Sequence, residues 1–191
     1  RVLDPRPDTE TLVDWALDCL PTAPAATVID LGTGSGAVAL AVKHNAATVD
    51  VTATDASPAA LTVAQGNAAR LGLAVNFALG SWWQAVPGRQ FGLAVSNPPY
   101  IAAGDDHLAA LQHEPRMALT PEGDGLDALR KLIDGAPQHL LPGAWLLLEH
   151  GYDQAPAVQA LLQARGFSTP QTRADLAGLP RCTGAVWRPA N

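Results

Sequence analysis

The chain has 191 residues, 48% apolar and 16% charged, with a net charge of −6; it is no disordered tail, and strong nonspecific binding to nucleic-acid phosphates is disfavoured. No apolar run approaches the roughly 20 residues that span a bilayer, and the polar, proline-broken opening RVLDPRPDTE is not an export signal, so no membrane partner is expected. The two cysteines, Cys19 and Cys182, lie far apart without metal-type spacing, which leaves no expected metal site and favours a reducing cytoplasm.

In chain order, residues 8–20 place Leu12, Val13, Ala16, Leu17 and Leu20 on one helical stripe. ATVIDLG then reads as a short buried strand, followed by a helix from Gly36 to His44 and a second strand in ATVDVTATD that ends at Asp55. The next helix carries its own boundaries: Ser57 at N-cap, Pro58 at N1 and Gly72 just past the end. AVNFAL and FGLAVSN supply the third and fourth strands. A helix is expected over Leu126–Leu140, with Pro137 putting its continuity in question. AWLLLEHG is the fifth strand, APAVQALLQARG a helix, and FSTPQ with GAVWRP a closing hairpin. Such alternation predicts an α/β fold: a parallel sheet with helices on both faces and its ligands at the carboxyl ends of the strands.

The unusual residues fall at those ends. DLGTGSGA, Asp30 to Ala37, joins the first strand to the first crossover helix, and Gly32, Gly34 and Gly36 permit a turn that a β-carbon would block. Asp55, at the end of the second strand, stands where an acid can hold ribose hydroxyls. The loop predicts a nucleoside site without naming the nucleoside. Gly32, Gly34 and Ala37 also satisfy the dinucleotide pattern, so a nicotinamide dehydrogenase competes at this point.

The fourth strand ends in Asn97-Pro98-Pro99-Tyr100. The Asn97 side-chain carbonyl and the Pro98 backbone carbonyl can accept both hydrogens of a planar NH₂ group, on which Tyr100 can stack. An amide or aryl NH₂ is a weak nucleophile because its lone pair is delocalised. Positioning and hydrogen-bond polarisation, rather than a strong base, would then carry the catalysis. The matching electrophile is a sulfonium methyl, so S-adenosylmethionine is the expected cofactor.

With these residues in place, the chain resembles the catalytic domain of the protein-(glutamine-N5) methyltransferases that modify peptide chain release factors. The resemblance runs through PRPDTE, DLGTGSGAVALA, TDASPAAL, VSNPPYI, EPRMAL, GDGLDALR and LEHG, and closes on DLAG with Arg181. It implies a class I, Rossmann-like, seven-stranded sheet whose last strand is antiparallel, with residues 1–191 as one catalytic domain. It also implies the glutamine of a Gly-Gly-Gln loop in a release factor as methyl acceptor, with no direct nucleic-acid binding. By position, Gly32, Thr33, Gly34, Ser35 and Gly36 would line the cofactor, and Asp55 would bind its ribose. Trp82 would pack near the adenine. Asn97, Pro98, Pro99 and Tyr100 would hold the substrate amide, Asn97 also lying close to the cofactor.

Other residues have two readings. Trp82 and Trp83 equally suit a core. Arg6 and Glu10 suit either a substrate entrance or a capped surface helix. Glu114, Asp124 and Asp127 suit either ordering of the loop after Tyr100 or a solvated helix start. Ser81 stands where the family carries an acidic residue. The chain opens on Arg1 with its only methionine at Met117, and it is expected to be a fragment lacking the family's helical N-terminal recognition domain. The competing functions are a glutamine methyltransferase of a large-subunit ribosomal protein, an amino-group methyltransferase of DNA or RNA bases, and a non-enzymatic cofactor-binding module.

Overall fold

A computed structural model of the chain describes residues 9–20, 26–100 and 125–189. Arg6, Glu114 and Asp124 lie outside the described residues. The first helical stripe becomes α1 (Glu10–Cys19), and then strands and helices alternate: β1 (Thr27–Leu31), α2 (Ala37–Asn45), β2 (Asp50–Asp55), α3 (Pro58–Leu71), β3 (Asn76–Leu79) and β4 (Phe91–Ser96). The chain continues through α4 (Asp127–His139), β5 (Leu140–Glu149), α5 (Ala155–Ala164), β6 (Gln171–Ala174) and β7 (Pro180–Val186). The strands form one seven-stranded sheet in the order β3-β2-β1-β4-β5-β7-β6. β1 to β5 pair in parallel, and β7 lies antiparallel between β5 and β6. This is the mostly parallel sheet read from the alternation of elements, with the antiparallel last strand that the family resemblance implied.

The sheet is buried on both faces, and alternate residues of each strand supply the two cores. Ile29, Leu31, Ala94, Leu146 and Leu148 point to one face, where they pack with Leu129, Leu132 and Ile133 of α4 and Val158 and Leu162 of α5. Val28, Leu93, Val95 and Leu147 point to the other, against Leu12, Trp15 and Ala16 of α1 and Val38 and Val42 of α2. These apolar runs read as continuous rather than alternating because neither face meets water. The helix boundaries around α3 are as expected: Ser57 accepts from the Ala60 amide at 3.3 Å, and Gly72 closes the helix in the left-handed conformation at φ 66°.

The expected helix before β5 is present: α4 runs unbroken to His139 with Pro137 inside it, and a proline in the last turn removes only one backbone bond there. Two other elements are shifted from their expected bounds. β5 begins at Leu140 rather than Ala144, its register against β4 shifting between Phe91 and Leu93. The closing hairpin around FSTPQ and GAVWRP is present but shifted toward its turn: it is formed by β6 and β7, with Gln171 opposite Gly184. Phe167 is instead drawn into the core, its ring 5.2 Å from that of Trp187. The hairpin turn is set by Asp175, whose Oδ1 accepts from the amides of Ala177 and Leu179 at 2.9 and 3.0 Å. Arg181 Nη2 reaches back to Asp175 Oδ2 at 3.0 Å.

Candidate active site

β1 leaves the sheet at Leu31, and the backbone turns through Gly32 (φ 74°), Gly34 (φ 57°) and Gly36 (φ 86°) before α2 begins. All three values lie in the region that side chains disfavour, which explains this spacing of glycines. The loop is pinned to β2: the amides of Gly32 and Thr33 both donate to the Thr54 carbonyl, at 2.9 and 2.8 Å. Asp55 completes the pin. Its Oδ2 accepts from the Gly34 amide at 2.9 Å and its Oδ1 from the Ser57 amide at 2.8 Å. A carboxylate oxygen can accept more than one hydrogen bond, so Asp55 keeps acceptor capacity for a ligand beyond the loop. From α3, Asn67 Nδ2 donates to the Ser35 carbonyl at 3.0 Å.

Beneath the loop lies Asp30, a residue the sequence reading passed over. It is 1% exposed, and its Oδ2 accepts from Thr33 Oγ1 at 2.6 Å and from the Ala39 amide at 3.2 Å. Burial, opposed by these two bonds, pushes its carboxyl up to about 6. Trp82 covers the loop from the other side. A β-carbon on Gly32 would lie 2.9 Å from its Cζ3, whereas one on Gly34 would meet nothing within 4 Å. Gly34 therefore faces open space at the strand ends, and a ligand can approach its backbone closely.

Trp82 has φ 49°, an uncommon and strained conformation for so bulky a residue. Its neighbour Trp83 faces inward. It is buried, donates from Nε1 to the Leu132 carbonyl at 2.9 Å, and stacks on His139 with ring centroids 5.0 Å apart. The two readings of this pair are thus divided: Trp83 is core, and Trp82 flanks the glycine loop.

β4 lies beside β1, with Val95 opposite Asp30, so Asn97–Tyr100 emerges next to the glycine loop. Ser96 fastens the two strand ends by donating from Oγ to the Leu31 carbonyl at 2.6 Å. Pro98 is buried, while Asn97, Pro99 and Tyr100 are half-buried. Asn97 Nδ2 donates to Thr9 Oγ1 at 3.2 Å, which leaves Oδ1 as the acceptor. Tyr100 is held twice from the end of β5: its hydroxyl donates to Glu149 Oε1 at 3.3 Å, and its carbonyl accepts from Gln154 Nε2 at 3.0 Å. Gln154 is itself fixed, its Oε1 accepting from the Gly151 amide at 2.9 Å. Thr9, Glu149 and Gln154 are further residues that sequence reasoning did not single out; only the place of Thr9 inside PRPDTE and of Glu149 inside LEHG marked two of them.

The remaining candidates have plainer surroundings. Glu10 is exposed at the start of α1. Asp127 opens α4 and pairs with Arg130 at 3.0 Å on the surface, the solvated helix start of its two readings. His150 is fully buried, Nδ1 donating to the Gly151 carbonyl at 2.8 Å and Nε2 facing Thr183 Oγ1 at 2.7 Å. Burial lowers its pKa, and both ring nitrogens are engaged, so it is structural. Cys19 and Cys182 are buried, and burial raises both thiols, that of Cys19 to about 11. Among the described residues, no cluster of His, Cys, Asp or Glu is placed to hold a metal ion, and no helix is long and apolar enough to cross a membrane.

A glycine loop, a ribose-competent acid and an Asn-Pro-Pro-Tyr stretch share one edge of this sheet, and the sheet order and comparisons with known proteins place the chain in the class I methyltransferases. The family model described as methyltransferase small domain matches residues 9–126. The fold is shared with the Thermus thermophilus 16S rRNA N2 methyltransferase in complex with AdoMet and guanosine (TM-score 0.67, 21% identity, 97% of this chain and 44% of that one). The release factor glutamine methyltransferase of Bordetella pertussis is 53% identical over 186 residues, 96% of this chain and 69% of that protein. That of Coxiella burnetii is 49% identical over 181 residues, 94% of this chain and 65% of that protein. The chain belongs to the release factor glutamine methyltransferase family, and it spans about two thirds of the length of these relatives.

Proposed function

We propose that this chain transfers a methyl group from S-adenosylmethionine to the side-chain amide nitrogen of a release-factor glutamine, that of a Gly-Gly-Gln loop. The single observation that carries the reading is the juxtaposition on adjacent strands β1 and β4 of the glycine loop and Asn97. One half suits a nucleoside and the other a planar NH₂ group. Family membership supports the same substrate.

The residues present fit the cofactor. Gly34 opens onto space that a β-carbon would otherwise fill, and Asp55 retains lone pairs that suit ribose hydroxyls. In this reading Gly32, Thr33, Gly34, Ser35 and Gly36 line the bound molecule, and Trp82 borders its base. When bound, S-adenosylmethionine supplies a methyl group on a positively charged sulfur. Everything else falls to the protein's own groups. Asn97 Oδ1 and the Pro98 carbonyl accept the two amide hydrogens, and buried Pro98 keeps that carbonyl rigid. Tyr100 lies along the amide plane. Held so, the amide directs its nitrogen at the cofactor, and acceptors already in place need no reorganisation as charge develops. The reading places the protein in the cytoplasm, a reducing compartment that suits two buried cysteines without metal-type spacing.

Labelled-methyl transfer to purified release factor, mapped by peptide mass spectrometry, tests the reading. Label on the Gly-Gly-Gln glutamine is the expected outcome. Label only on a ribosomal protein or a nucleic acid supplied in parallel would overturn the substrate and keep the chemistry.

A further inference from the structure

We infer that Thr9 is a positioning residue for methyl transfer, its hydroxyl holding the Asn97 amide with Nδ2 turned away and Oδ1 turned toward the acceptor. The inference rests on the reading of Asn97 given above. A primary carboxamide has two nearly isosteric orientations related by a half-turn. One presents an acceptor to the substrate NH₂; the other sets donor against donor. The shape of Asn97 does not choose between them, and a hydroxyl can meet either by accepting or by donating; what a neighbouring hydroxyl fixes is the place and plane of the carboxamide, and Nδ2 is the atom held in the structure.

Thr9 is that neighbour across 88 positions of sequence: Asn97 Nδ2 donates to its Oγ1 at 3.2 Å. Thr9 as a whole is 8% exposed, so water has little access around its hydroxyl. A threonine just before a helix ordinarily caps it by accepting from a first-turn amide. Thr9 stands at that place before α1, yet its backbone is helical (φ −70°, ψ −16°) and its side chain makes no capping bond. The oxygen faces Asn97 instead. The helix behind it is firmly placed, with Leu12 and Ala16 fully buried and Trp15 at 1% exposure. Thr9 is therefore held by the core rather than by a loop, and it fixes a side chain on a strand end with no regular structure of its own.

The test compares Thr9→Val, Thr9→Ala and Thr9→Ser in the intact protein. Thr9→Val keeps the shape and loses the hydroxyl; its kcat should fall about 10- to 100-fold, as expected when a reacting group is misplaced by about 1 Å. kcat/KM should fall in parallel, the mark of an interaction realised in the transition state, while the cofactor dissociation constant stays unchanged. Thr9→Ala repeats the loss without β-branching should the valine disturb the helix start, and Thr9→Ser should restore turnover. The Asn97 side-chain NH₂ resonances, assigned by their disappearance in Asn97→Ala, should move in the valine and alanine variants and stay in place in the serine. Wild-type turnover in Thr9→Val and Thr9→Ala, a serine variant as slow as the valine, or an unmoved amide resonance would each overturn the inference. Should the unmutated protein leave the release-factor glutamine unlabelled, the function falls, and the amide resonance still decides whether Thr9 holds Asn97.

Discussion

The glycine loop is held by its immediate surroundings, whereas Asn97–Tyr100 is held from a distance. Gly32 and Thr33 hang on the carbonyl of Thr54 in the neighbouring strand, and Gly34 on Asp55 one residue further along. Apart from the Asp55 carboxylate, these anchors are backbone groups of the neighbouring strand, which few side-chain changes can reach. Asn97 and Tyr100 are tied by side chains 88, 49 and 54 positions away, in Thr9, Glu149 and Gln154. The two halves meet through Ser96, whose hydroxyl bonds to Leu31. Cofactor affinity and turnover should therefore be separable, the first failing with the loop and the second with the tethers.

The largest effect should come from the centre of the distant-anchored half. Asn97→Ala removes an acceptor aimed at the reacting amide, and transfer should fall about 10²- to 10³-fold, the range seen when one preorganised transition-state partner is deleted. Calorimetry should show the cofactor binding as before; a parallel loss of cofactor affinity would mean that the halves are one unit. Next comes Asp30, beneath the loop. Its carboxyl is raised from 3.8 to about 6 by burial, so the folded protein binds a proton more readily than the unfolded chain. The stabilising contribution is complete below the unfolded value and is lost as pH rises through about 6. Relative to Asp30→Asn, the wild type should thus lose up to about 3 kcal/mol between pH 4 and pH 7.5, read from urea titrations at each pH. A constant difference between the two proteins would show that Asp30 is not titrating there. Asp55→Ala should then weaken cofactor binding by about 10- to 100-fold, the worth of hydrogen bonds to a charged group. Turnover at saturating cofactor should change far less; the reverse pattern would move the ribose site elsewhere.

How far these contrasts were legible in the sequence follows the same division. Apolar runs of five or six residues, the Ser57-Pro58 helix start and the glycine at 72 are local signals, and the strands and helices they imply are present. The loop and Asp55 could be read because their geometry is written in glycines and in one strand-end acid. Trp82 and Trp83 could not be separated. Their fates depend on a positive φ at Trp82 and on Leu132 and His139, none of which is adjacent in the chain. The hairpin was legible but its bounds were shifted, because Phe167, apolar and flanked by turn residues, is as suitable for a core as for a strand. Thr9, Glu149 and Gln154 look like ordinary helix-start, strand-end and loop residues until the fold brings them to Tyr100 and Asn97.

The smallest predicted effect tests the weakest of those tethers, and it needs two variants because Gln154 has two duties. Its Oε1 accepts from the Gly151 amide, which shapes the turn after β5, and its Nε2 donates to the Tyr100 carbonyl and, at 3.5 Å, to that of Gly125. Gln154→Ala ends both. Gln154→Glu keeps the acceptor for Gly151 and removes the donor to Tyr100, with a carboxylate oxygen now facing that carbonyl. If the tether places Tyr100, both variants should lose about five- to tenfold in kcat, the equivalent of one hydrogen bond of about 1 kcal/mol. Cofactor affinity should stay constant in both. If only the turn matters, Gln154→Glu should keep wild-type kcat while Gln154→Ala loses it. The comparison between the halves then tightens: a side chain that touches neither ligand would act on turnover alone, because it reaches the acceptor-binding strand end and not the loop.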